Sequence, residues 1–125
     1  MKKQSLMLAI SLAVTGLAGC SDALSKEEIA KLSVEEAATE ICEAYASMNA
    51  DRITAFLEEK YIQKTIDKLD RGLNYNAREK LEQSVCVVTD IDVQRRYTVV
   101  TFKNFVKKIK MYKSEDDLYK VKSLF

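Results

Sequence analysis

Histidine, proline and tryptophan are absent from the 125-residue chain, and glycine occurs three times. Without histidine there is neither the commonest general base nor the commonest zinc ligand. A Ser–His or Cys–His nucleophile cannot be assembled. An excess of one charge is also missing: 20 Lys and Arg oppose 19 Asp and Glu, a formal net of +1. Phosphate neutralisation needs a clear basic surplus, so no nucleic-acid partner is expected. With 47% hydrophobic and 31% charged residues the composition is that of a globular protein. The length allows one domain of modest size. These absences predict a chain that is not an enzyme and takes no cofactor or metal.

What is present begins at the N-terminus. Lys2 and Lys3 precede an uncharged, mostly apolar run from Leu6 to Leu17, 12 residues long. A spanning helix needs about 20 such residues, whereas a secretory apolar region needs roughly 7–15. The run ends in Leu17-Ala18-Gly19-Cys20. This resembles the lipobox of bacterial lipoproteins, in which a Leu and two small residues precede an essential Cys. The resemblance implies that residues 1–19 are a signal peptide, removed just before Cys20. It also implies that the Cys20 thiol carries the lipid. Two or three acyl chains, at about 0.8 kcal/mol per buried methylene, would make that membrane attachment effectively permanent. Ser21 rather than Asp after the Cys implies the periplasmic face of the outer membrane. An ordinary signal peptide with a chance Cys near its end, or an unprocessed anchor, is the alternative.

After such processing residues 20–125 remain, with 18 basic and 19 acidic residues. The charge is split: residues 20–84 hold 9 basic and 14 acidic residues, residues 85–125 hold 9 and 5. There is no repeat, no low-complexity stretch and no Gly/Ser linker. The expected organisation is a lipidated N-terminus and tether over 20–32, followed by a single domain over 33–125.

The first half reads as helix. Ser25 with Glu28 and Ser33 with Glu36 are capping boxes, in which hydroxyl and carboxylate satisfy the first free backbone N–H groups. Val34, Ala38, Ile41, Cys42 and Tyr45 then form one apolar stripe to about Met48. Asn49 is expected as a left-handed stop and Asp51 as the next N-cap. A further stripe runs through Ile62, Ile66, Leu69 and Leu73, with Gly72 as C-cap. Asn76 with Glu79 is expected to open a last short helix around Leu81.

From Val85 the chain turns β-branched and aromatic. Strands are predicted near 85–93, 95–102, 105–113 and 117–124. Their connections are too short for a crossover, so they must form an antiparallel meander. Tyr119, Val121 and Phe125 alternate with Lys120 and Lys122, and Phe105, Ile109 and Met111 with Lys108 and Lys110. That pattern predicts one covered and one solvated face. Helices followed by a four-stranded meander make an α+β layout. At Glu43-Ala44-Tyr45-Ala46-Ser47-Met48-Asn49-Ala50-Asp51 and Leu118-Tyr119-Lys120-Val121-Lys122-Ser123-Leu124 the chain resembles small bacterial lipoproteins with the cystatin-like roll of the nuclear transport factor 2-like superfamily. The resemblance implies helices packed on a curved sheet. The Asp–His or Tyr–His constellations of that superfamily's enzymes have no counterpart here.

Two cysteines remain beside Cys20. Cys42 lies on the helical stripe and Cys86 opens the first strand. An exported pair suggests a disulfide, with two buried free thiols or a metal site as rivals. A metal lacks ligands, since there is neither His nor C-x-x-C. Parity then poses a question. If Cys86 faces the helices, so do Val88, Asp90 and Asp92, yet Val85, Val87, Ile91 and Val93 form the stronger apolar set. Either a bulge near Thr89 switches faces or both faces are partly covered. In an unbroken strand Asp90 would point inward and would be a candidate for a perturbed pKa.

For function, Lys108, Lys110, Lys120 and Lys122 would form a basic face suited to an envelope protein or anionic glycan. The bland reading is a solvated face whose lysines also guard a strand edge. A small-molecule carrier using the interior of the roll, or an inhibitor of an envelope-targeted enzyme, are the alternatives.

Overall fold

The computed structural model describes residues 23–122; residues 1–22, which include the expected signal peptide and Cys20, and residues 123–125 lie outside the described residues. Helices α1 (Lys26–Ala30), α2 (Val34–Ala46), α3 (Ala50–Thr54), α4 (Glu59–Arg71) and α5 (Tyr75–Glu82) come first. Strands β1 (Val85–Val93), β2 (Thr98–Asn104), β3 (Ile109–Lys113) and β4 (Tyr119–Val121) follow as an antiparallel sheet in the order β1-β2-β3-β4. The α+β layout and the meander expected from the sequence are both present.

Both capping boxes form: the Ser25 and Ser33 hydroxyls accept from the Glu28 and Glu36 amides, and those carboxylates accept in return from the serine amides. Helix α2 is the central element, burying Ala37, Ala38, Ile41, Cys42, Ala44 and Tyr45. Its apolar face is wider than the single expected stripe because it touches both the sheet and the other helices. Against it pack Ile53, Phe56, Leu57 and Leu81 from the helical side and Val100, Phe102, Ile109, Met111 and Val121 from the sheet.

Several expected boundaries shift. Met48, not Asn49, takes the left-handed conformation, at φ 54°. Asn49 instead caps α3, its side chain accepting from the Arg52 amide at 3.1 Å, which moves the cap two residues ahead of Asp51. Asn74, not Asn76, caps α5. In each case an Asn competes locally for the first free N–H groups, and the one whose preceding chain is already extended or turned wins. Strand β2 starts at Thr98 rather than 95 because Gln94–Tyr97 forms the hairpin turn. Strand β3 starts at Ile109 rather than 105, leaving Phe105 outside the strand and edge-on to Phe102 at 5.8 Å between centroids.

Gly72 does end α4, at φ 84° and ψ 145°, with its N–H donated to the Leu69 carbonyl. Nothing lies within 4 Å of where a Cβ would stand, so only backbone strain opposes a side chain there. Gly72→Ala should therefore cost about 1–3 kcal/mol in urea unfolding. An unchanged midpoint would show that the helix end relaxes.

The cysteine and parity questions are resolved together. Cys42 and Cys86 are disulfide-bonded, with Cα atoms 5.8 Å apart. The β1–β2 register slips between Val85 and Val88 and again between Val88 and Asp90. The second slip is the bulge at Thr89. Before it, Val88 stands opposite buried Phe102; after it, Ile91 stands opposite buried Val100. Cys86 and Val88 therefore share the core face with Ile91 and Val93. Asp90 is thrown to the outer face opposite Thr101, where it is exposed, so the inward carboxylate does not exist.

Candidate functional site

The outer face of the sheet carries an open groove of about 590 Å³. Its floor is Lys110 and Tyr112 of β3, which alternate with buried Ile109 and Met111 and so point away from the helices. One wall is the β1–β2 hairpin, giving Arg96 and Tyr97, and another is the β2–β3 turn, giving Lys107 and Lys108. Glu58, Lys60 and Tyr61 close the third side from the start of α4, and Lys122 follows β4. Six cations thus face one carboxylate, a concentration that the near-neutral total charge conceals.

The one carboxylate is already engaged. Glu58 Oε1 accepts from the Tyr112 hydroxyl at 2.7 Å and lies 4.0 Å from Lys60 Nζ. This explains why Glu58, the N-cap of α4, makes no side-chain bond to its own helix. Burial, followed by the hydrogen bond and the negative charge of Glu58, holds the Tyr112 phenol above its ordinary range. Because its folded pKa is raised, Tyr112 contributes stability that is fully present below about pH 10, the ordinary phenol value, and lost as pH climbs further. Tyr112→Phe should lose less stability than the parent between about pH 9 and about pH 11 in urea unfolding. Equal losses would show that the phenol is not held above its ordinary range.

Lys110 Nζ sits 4.0 Å above the Tyr97 ring and Lys60 Nζ 5.2 Å from the Tyr61 ring. Such cation–π contacts are worth about 0.5–1 kcal/mol when exposed and pre-order both groups. Lys107, Lys108, Lys110 and Lys122 are exposed and have no carboxylate within 4.0 Å among the described residues, so the groove presents surplus positive charge to solvent.

Of the four lysines singled out by strand alternation, the groove gathers Lys108, Lys110 and Lys122. Lys120 departs from expectation. It is half-buried, and its Nζ donates to the carbonyl oxygens of Ala55 at 3.3 Å and Leu57 at 3.4 Å. Burial, and next Lys26, lower its pKa. The reason is topological: Leu57 pairs in parallel with Val121 and the Val121 amide donates to the Phe56 carbonyl, so this segment covers the β4 edge. Lys120 therefore binds carbonyl oxygens rather than open solvent. Sequence reasoning missed Lys60, Tyr61, Arg96, Tyr97 and Lys107, which come from turns and a helix start that have no strand periodicity to mark them.

Where a roll would have its interior, between helices and sheet, Tyr45, Ile41, Ile53, Val100 and Ile109 are each at 0% exposure in one apolar cluster. Among the described residues no group of three His, Cys, Asp or Glu could hold a metal ion, and no helix is long and apolar enough to cross a membrane. No protein family, no curated protein and no solved structure was found to match the chain.

Proposed function

We propose that the protein is a lipid-anchored lipoprotein of the bacterial envelope that acts as a non-catalytic binding module, holding an anionic glycan in the groove on the outer sheet face. The single observation that carries this reading is the groove's lining, six cations and three tyrosines against one carboxylate already hydrogen-bonded to Tyr112. Lysine and arginine supply charge complementarity to carboxylate or phosphate groups. Tyrosines add rigid amphipathic contact surface at low entropic cost.

Anchoring rests on Lys2, Lys3, the Leu6–Leu17 run and Leu17-Ala18-Gly19-Cys20. The outer membrane, periplasmic side, is the proposed location. Ser25, which opens the first capping box, lies five positions after Cys20, a flexible reach of about 12 Å. Leu24 and Lys26 line a hollow that also contains Glu58, the residue on the groove's rim. The tether would thus emerge beside the groove and keep it near the membrane surface, where the glycan must be or come.

Two measurements test this. Cys20→Ser should leave an unprocessed precursor without lipid; normal maturation would remove the anchor from the proposal. The mature protein should bind a uronate- or phosphate-bearing polysaccharide, with affinity falling as ionic strength rises through the range where the screening length is about 10 Å. It should ignore a neutral polysaccharide of the same length. Equal binding to both would overturn the groove's assignment.

A further inference from the structure

The two edges of the sheet are treated differently. At the β4 edge Leu57, Phe56 and Lys120 occupy the backbone and the space beside it. At the β1 edge nothing comparable is found among the described residues, although β1 is nine residues long. Four of the six exposed large apolar side chains described lie on this strand: Val85, Val87, Ile91 and Val93. An exposed edge with apolar side chains is a template for another strand, and proteins ordinarily blunt it.

The bulges blunt only its first half. From Asp90 to Val93 the register is continuous, opposite Thr101 to Thr98. Over these four residues the strand alternates cleanly. Ile91 and Val93 continue the core-side rows Ile91–Val100–Ile109 and Val93–Thr98–Met111–Val121, yet they are 38% and 71% exposed because the rows run out at the edge. Asp90 and Asp92 face the other way, are exposed, and are the only charged residues on β1.

We propose that Asp90–Val93 is a strand-addition site for an extended segment of another protein, carrying apolar side chains toward Ile91 and Val93 and Lys or Arg toward Asp90 and Asp92. Main-chain hydrogen bonds would supply affinity and the alternating side chains specificity. The charge complementarity selects this occupant over a second copy. Antiparallel pairing of two β1 strands with Ile91 opposite Ile91 sets Asp90 against Asp92. With Ile91 opposite Val93 it sets Asp92 against Asp92, and like charges directly opposite destabilise a sheet. The same two carboxylates oppose an anionic membrane surface. This surface shares no lining residue with the basic groove, and its assignment does not depend on the groove's ligand.

The test uses the mature protein and a blocked peptide of sequence Thr-Lys-Val-Lys-Ile-Lys-Thr, with binding followed by fluorescence anisotropy and backbone hydrogen exchange. Binding should slow exchange of amides within Asp90–Val93, and replacing the peptide's Val by Pro should weaken it at least about tenfold. The variant Asp90→Lys with Asp92→Lys should lose the Lys-bearing peptide by a similar factor and gain its Glu-bearing counterpart. Folding of the variant is checked by its circular dichroism and intact disulfide. Unchanged exchange at Asp90–Val93, equal binding of the Pro peptide, or failure of the charge swap in a folded variant would overturn the proposal. So would sedimentation showing a dimer that Val93→Asp dissociates, or binding to anionic lipid vesicles that Val93→Asp abolishes.

Discussion

Reversing Lys108, Lys110 and Lys122 together to Glu is expected to weaken binding of an anionic polysaccharide by about a hundredfold or more while the fold persists. All three side chains are exposed and none has a salt-bridge partner within 4.0 Å among the described residues, so their removal leaves no described buried group unpaired. Exposed ion pairs are individually worth about 0.2–1 kcal/mol. Reversal replaces each attraction by a repulsion of like size, so three sites should forfeit roughly 3 kcal/mol, which is about two decades in affinity. The association rate should fall most, and the difference from the parent should shrink in salt.

A matched control carries the same charge change elsewhere: Lys31, Lys64 and Lys80, also exposed, reversed to Glu on the helices. An equal loss in both triple variants would mean that net charge, not the groove, governs binding. Lys120 must be left in place. A carboxylate there would stand against the Ala55 and Leu57 carbonyl oxygens that its ammonium now satisfies, and would test the fold instead.

Replacing Cys42 and Cys86 together by Ala should lower the unfolding free energy by roughly 3–4 kcal/mol. The pair closes a long loop, with a sequence separation of 44, and loop-closure entropy alone gives about 4 kcal/mol as a ceiling. That is a large share of the 5–15 kcal/mol typical of a whole domain. Alanine is the right replacement, because Cys42 is fully buried among apolar side chains and a hydroxyl would add a desolvation cost of its own. The bridge ties α2 to the start of β1, the one strand without a fully buried residue, so hydrogen exchange in β1 should accelerate more than in β3. A loss below about 1 kcal/mol would show that the unfolded chain is already restrained.

The order of helices and strands, the two capping boxes, the Gly72 helix end and the antiparallel meander are all legible along the chain. Each of these depends on residues close in the chain or on a simple repeat: a hydroxyl three residues before a carboxylate, a period of 3.6 or of 2, connections too short to cross over. Strand alternation also located three of the groove's six cations, because Lys108, Lys110 and Lys122 interleave with apolar neighbours. Other features depend on elements distant in sequence, the Cys42–Cys86 bond among them. The Thr89 bulge became visible once Val88 and Asp90 were registered against Phe102 and Thr101. Lys120 obeys the same alternation as Lys122, yet Leu57, far back in the chain, pairs beside Val121 and places carbonyl oxygens within its reach. Likewise Arg96, Lys107 and Lys60 reach one groove from two turns and a helix start, and no local period connects those positions. Periodicity reports which face a side chain takes within its own element; packing alone decides what lies opposite that face, and therefore whether a lysine is a latch, a ligand-binding cation or a solvated one.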